Sequence, residues 1–156
     1  MSTTPRWFVP AVLTVGLGLS LDQPGNLTGT WHLNVEKSRW GEMRKPNSVV
    51  LVIDHKEPAL HYSGSIMYAN EDTREFVFDG AIDGKEYPMT RSFGKGKVAL
   101  HRVGPSRFDS TFRTDDGVAV ETAANTLSRD GRTLTRQLRL QTPEGTKSWT
   151  EIYERR

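Results

Sequence analysis

Between Arg107 and Tyr153 apolar or small residues alternate with polar ones in four segments, and three turns of similar composition separate them. A period of two argues for strands, and strands joined by tight turns make an antiparallel β-meander. The turns are Thr114-Asp115-Asp116-Gly117, Ser128-Arg129-Asp130-Gly131 and Thr142-Pro143-Glu144-Gly145. Each reads as a type I turn closed by a glycine of positive φ in a bulge, which predicts Thr114 opposite Val118, Ser128 opposite Arg132 and Thr142 opposite Thr146. That register sets Phe108, Ser110 and Phe112 across from Ala124, Thr122 and Val120. These lie across from Arg136, Leu138 and Leu140, and the last row is Ile152, Thr150 and Ser148. Arg136 is then the one charge along these inner rows, with Glu154 near the chain end as its competing partner. Arg107, Asp109, Arg113, Glu121, Gln137, Arg139, Gln141, Lys147 and Glu151 fall on the outer face, where Trp149 and Tyr153 are exceptions.

Upstream the same period predicts further strands. Trp31, Leu33 and Val35 alternate with His32, Asn34 and Glu36, and Ser38 to Asn47 is the longest connection. Val49, Leu51, Ile53 and His55 are expected to meet Ile66, Gly64, Tyr62 and Leu60 across a two-residue Glu57-Pro58 loop. Thr73 to Asp79 makes a short strand with Phe76 and Phe78 inward, Asp79 to Tyr87 reads as irregular, and Arg91 to Phe93 as another short strand. A Gly104-Pro105-Ser106 loop sets Arg102, Leu100 and Val98 opposite Phe108, Ser110 and Phe112. The sum is about nine strands, within a range of about 8–10, each joined to the next. The fold class is therefore all-β, an antiparallel up-and-down meander closed into a barrel, because closure hides both sheet edges.

Composition changes this picture little. A hydrophobic fraction of 35% with mean hydropathy −0.57 is low, as expected of a sheet that wets one face. The net charge of +2 comes from interspersed acids and bases, so no basic tract suits a nucleic-acid partner. The absence of cysteine excludes disulfides, thiolate nucleophiles and Cys-ligated metal. Arg6 precedes an uncharged run from Trp7 to Leu21, which Asp22-Gln23-Pro24-Gly25 breaks. Residues 1–21 read as a signal peptide, or as an N-terminal hydrophobic helix, and 27–156 as the barrel domain. The first reading expects export to the periplasm or beyond, with no membrane span left after processing.

The segment Leu27-Thr28-Gly29-Thr30-Trp31 sets Gly-x-Trp at the start of the first strand, and there the chain resembles the lipocalins and the wider calycin group. Three runs, Gly29 to Ser38, Ser128 to Thr135 and Ile152-Tyr153-Glu154, look like a set of exported bacterial lipocalin-like proteins whose function is generally unassigned. The resemblance covers most residues after Asn26. It implies a cup with a cavity for a small hydrophobic ligand, with Gly29 and Trp31 as a structural motif. The arginine that lipocalins stack on this tryptophan has one positional candidate, Arg155. Neither a lipocalin's C-terminal helix nor the helical lid of fatty-acid-binding proteins has a counterpart in the sequence.

Candidate ligand-binding residues are Arg102, Arg136, Tyr62, Tyr68, Phe108 and Phe112. The two arginines fall on one row, roughly 14 Å apart along the sheet, and a guanidinium forks onto a carboxylate. The tyrosines share the inner face of one strand with Leu60 and Ile66. Trp40 and Met43 in the long loop are placed to cover an open end. His55, if inward, is a lone candidate for a haem iron without a second ligand. No metal spacing, Ser-His-Asp order or phosphate loop is present, so catalytic, metal and cofactor residues are expected to be none. The functional expectation is non-catalytic binding of a small hydrophobic or amphipathic ligand, acidic ones included. The alternative is a structural or protein-interaction barrel with a filled interior.

Overall fold

The computed structural model describes residues 25–70 and 72–156. The segment 1–21, with its signal-peptide reading, lies outside them. Ten strands follow one another: β1 Gly29–Leu33, β2 Ser48–Lys56, β3 Ala59–Met67, β4 Thr73–Ala81, β5 Glu86–Arg91, β6 Gly96–Gly104, β7 Arg107–Thr114, β8 Val120–Leu127, β9 Thr133–Thr142 and β10 Gly145–Arg155. Each pairs antiparallel with its neighbour, and β1 also pairs with β10, so the meander closes into a barrel with no free sheet edge. No helix occurs among the described residues.

Alternation sets the walls as read from the sequence in β2, β3, β6 and β7. His55 lies opposite Leu60, Ile53 opposite Tyr62, Leu51 opposite Gly64 and Val49 opposite Ile66. Arg102, Leu100 and Val98 lie opposite Phe108, Ser110 and Phe112. The Glu57–Pro58 loop has two residues and a cis peptide bond. Between β4 and β5 only Phe76–Arg91, Val77–Thr90 and Phe78–Met89 are in register. This thin ladder is why the sequence pattern there was weak: the expected irregular stretch from Asp79 to Tyr87 instead contains the end of β4 and the start of β5.

The three C-terminal turns correct the expected register. Gly117, Gly131 and Gly145 do have positive φ, at 70°, 69° and 136°, but the loops differ in length from the bulged form. The Ser128 hydroxyl accepts the Thr133 N–H at 2.9 Å and donates to Asp130 at 2.6 Å, and Asp130 accepts the Arg132 N–H at 3.1 Å. Thr114 and Asp116 do the same for Ala119 and Val118. These side chains hold four-residue loops, so Leu127 meets Leu134 and Arg113 meets Val120. The last turn is shorter, with Gly145 opposite Thr142. Each register therefore moves by one, and β8 and β10 turn over relative to β7 and β9. Asn125, Ala123 and Glu121 replace Ala124, Thr122 and Val120 opposite Phe108, Ser110 and Phe112. Tyr153, Glu151 and Trp149 replace the expected Glu154, Ile152 and Thr150 opposite Leu134, Arg136 and Leu138.

One end of the barrel is plugged. Trp31 is fully buried, and its indole N–H donates to the Leu27 carbonyl at 2.8 Å. The Arg155 guanidinium stacks on the Trp31 ring, its Cζ 4.6 Å from the centroid. Gly29 beneath it has φ 141°, a backbone conformation that favours glycine, and a Cβ there would only touch the Arg155 stem at 3.5 Å. Leu27, Leu60, Phe78, Leu100, Leu134 and Tyr153 surround the plug.

Candidate functional site

Above the plug the barrel encloses a cavity of about 380 Å³. Its floor is Leu27, Leu60, Leu100 and Leu134, its walls include Tyr62, Phe76, Phe108 and Phe112, and its mouth is rimmed by Arg44, Tyr68, Arg74, Arg91 and Phe93. Trp40 and Met43 from the β1–β2 connection line the same space. Apolar walls with a few polar groups are the usual make-up of a small-molecule cavity, and the volume is within the ordinary range.

The walls carry two kinds of polar group. Glu151 is saturated: it accepts from Trp149 Nε1 at 2.9 Å, from Tyr153 Oη at 3.0 Å and from Arg136 Nη1 at 3.2 Å. Arg136 donates its Nε to Asn125 at 3.0 Å, and Asn125 in turn donates to the Phe108 carbonyl at 3.1 Å. Burial alone would lower the Arg136 pKa, but Glu151, Tyr153, Glu121 and Tyr62 together outweigh it and hold the pKa above the ordinary guanidinium value. Burial pushes the Tyr62 phenol up to about 12 and raises the Glu121 carboxyl, which Arg136 and Arg91 only partly counter. Neither the Tyr62 hydroxyl nor the Glu121 carboxyl has a hydrogen-bond partner among the described residues.

At the mouth three arginines converge on aromatic faces. Arg44 stands 4.1 Å and Arg74 5.3 Å from the Tyr68 centroid, and Arg91 stands 4.5 Å from Phe93 and 3.8 Å from Phe112. Asp72 is the acid they share, 3.6 Å from Arg44 and 3.3 Å from Arg74, whereas Arg91 has no carboxylate within ion-pair distance among the described residues. Among the described residues, three cations with one acid leave this rim positive.

Of the residues expected from sequence, Tyr62, Tyr68, Phe108, Phe112 and Arg136 line the cavity. Arg102 does not; it lies at the plugged end and forms an ion pair with Glu57. Glu57 also accepts from His55 Nε2 at 2.7 Å, while His55 Nδ1 accepts the Leu27 N–H at 3.1 Å. Both imidazole nitrogens are thus occupied, which leaves no lone pair for a metal, and the proton is on Nε2. Although burial would raise the Glu57 pKa, the bonds from Arg102 and His55 lower it. Arg102 and Arg136 therefore do not share a site. Glu154 does not compete for Arg136 either, since it faces outward and binds Lys37 at 2.8 Å and Asn34 at 3.0 Å. The sequence reading missed Glu121 and Glu151, assigned to the outer face by the one-residue register error, Arg74, which shares the inward face of Phe76 and Phe78, and Arg44 and Arg91 in segments without regular alternation. The turn signature of hydroxyl, then Asp two places on, would have corrected Glu121, whereas the shorter Thr142–Gly145 turn that sets the face of Glu151 has Glu144 in place of Asp.

No family model matches the chain, and no curated protein sequence matches it. Solved structures do. A zebrafish ileal bile acid-binding protein complexed with cholic acid superposes with a TM-score of 0.58 at 15% identity, over 83% of this chain and 98% of that one. Rv2717c from M. tuberculosis superposes with a TM-score of 0.52 at 14% identity, over 83% of this chain and 92% of that one. The shared feature is the fold, a closed antiparallel β-barrel. At such identities the likeness establishes the fold and leaves the ligand to the chemistry of the cavity.

Proposed function

We propose that this barrel binds a small amphipathic acid without acting on it chemically, the apolar body in the cup and the anionic group among Arg44, Arg74 and Arg91. The observation that carries this reading is an apolar cavity of about 380 Å³ whose rim is cationic. Arg91 counts most, because it is desolvated without an ion-pair partner and an incoming carboxylate would supply one. Tyr62, Tyr68, Phe108 and Phe112 would contact the body of the ligand. The bile acid-bound zebrafish neighbour supports the general class, since its cargo is also a small amphipathic molecule.

Displacement of an apolar fluorescent dye by dodecanoate and by dodecanol tests the assignment. Dodecanoate is expected to bind about tenfold more tightly, the lower end of a charge-assisted hydrogen bond, and Arg91→Met to abolish that preference. Equal displacement by acid and alcohol would remove the anion site, and displacement by neither would remove the binding function.

The proposal also places the protein outside the cytoplasm, on the strength of Arg6 followed by the uncharged run from Trp7 to Leu21. The intact mass of protein expressed in a bacterial host and recovered from its periplasm should correspond to a start near Leu21 or Asp22; a full-length mass would defeat it.

A further inference from the structure

The cavity holds a second polar position, below the rim, that the anionic group does not use. Tyr62 from β3 and Glu121 from β8 lie within electrostatic range of each other and of Arg91 and Arg136. Both line the cavity and neither has a hydrogen-bond partner among the described residues. This contrasts with Glu151 and Asn125 in the same wall, which the protein saturates with its own donors and acceptors. A phenol and a carboxyl without a hydrogen-bond partner in a largely apolar cavity are costly unless a bound molecule satisfies them.

Charge selects what can sit there. A carboxylate there would forgo the rim, where Arg91 lacks an ion-pair partner among the described residues, while the Arg136 charge is already neutralised by Glu151 at 3.2 Å. An ammonium would meet Arg91 and Arg136. An uncharged oxygen meets neither penalty: it can accept from the Tyr62 hydroxyl and donate to Glu121. We infer that Tyr62 and Glu121 form a specificity site for an uncharged oxygen function, a hydroxyl in the first instance, partway along the apolar body of the ligand. Burial raises the Glu121 pKa, so this carboxyl keeps its proton to higher pH than a free one and serves as donor as well as acceptor. This inference rests on the binding function proposed above, which it narrows from amphipathic acids to hydroxylated ones.

The test titrates the whole chain with dodecanoate and with a series of monohydroxydodecanoates in which the hydroxyl moves along the carbon chain. One internal position is expected to bind about tenfold more tightly than dodecanoate, as for a single hydrogen bond made to a buried group. Isomers whose hydroxyl meets the apolar wall should bind more weakly than dodecanoate. Tyr62→Phe and Glu121→Leu should each bring the favoured isomer to the affinity that the same variant has for dodecanoate, or below it. If dodecanoate binds and no hydroxylated isomer exceeds it, the specificity site is overturned and the binding function stands. If neither variant affects the favoured isomer, the hydroxyl is held elsewhere and the assignment is again overturned. Binding of no member of the series would overturn both readings together.

Discussion

The plugged end of the barrel and its cup are built from the same alternating strands yet treat polar groups in opposite ways. At the plug, Trp31 N–H, Leu27 N–H, His55, Glu57 and Arg102 all find partners, apolar side chains fill the space between, and Arg155 Nε is the buried exception among the described residues. In the cup, the Glu151–Arg136–Asn125 chain is equally complete, but among the described residues Tyr62 and Glu121 have no hydrogen-bond partner and Arg91 has no ion-pair partner. Full satisfaction stabilises one arrangement, whereas open polar groups cost stability and are retained where something else completes them. The comparison assigns stability to the plug and recognition to the upper cup.

The sharpest way to break it is Trp31→Ala. Removing a fully buried indole that Arg155 stacks upon is expected to cost about 3–5 kcal/mol in chemical denaturation. A midpoint that hardly moves would mean that the plug is not where stability resides. Next in size is Glu151→Leu, which strands the Arg136 charge in the wall and should cost about 3 kcal/mol. Adding Arg136→Leu should recover most of that loss, because removing both buried charges is close to neutral. If the double variant is as unstable as the sum of the single ones, the pair is not coupled. Smallest is Glu121→Gln, for which a gain in stability is expected. The folded carboxyl has a raised pKa, so it is not penalised below the ordinary value of 4.5, where both folded and unfolded states are protonated. As pH rises above 4.5 the unfolded chain ionises first, and the wild type loses stability until the folded group has ionised too. The variant should therefore match wild type in acid and exceed it at neutral pH, read from thermal midpoints across that range. A variant less stable at neutral pH would show that Glu121 is a structural residue and not an open one.

Much of the architecture was legible in the chain. Alternation in β2, β3, β6 and β7 predicted both partners and faces, because a period of two leaves only one way to bury the apolar rows. Gly29 and Trp31 marked the plug, and Arg155 at the end of the last strand supplied the stacking partner. Where the reading failed, the cause was local and specific. Glycine of positive φ is compatible with loops of several lengths, so Gly117, Gly131 and Gly145 identified turns without fixing how many residues each contains.

What the sequence determined by itself is therefore the period, the order of the strands and the closure of the sheet, since these follow from local backbone geometry and the need to hide apolar rows and strand edges. The tertiary structure alone decided which side chains meet in the cup. Glu151 finds Arg136 across β10 and β9, Arg44 and Arg74 meet over Tyr68 from different segments, and Tyr62 comes within range of Glu121 from strands far apart in the chain. Such pairings depend on a register that one residue reverses and on barrel curvature, which brings distant strands face to face. Neither leaves a local trace in the alternation of polar and apolar residues.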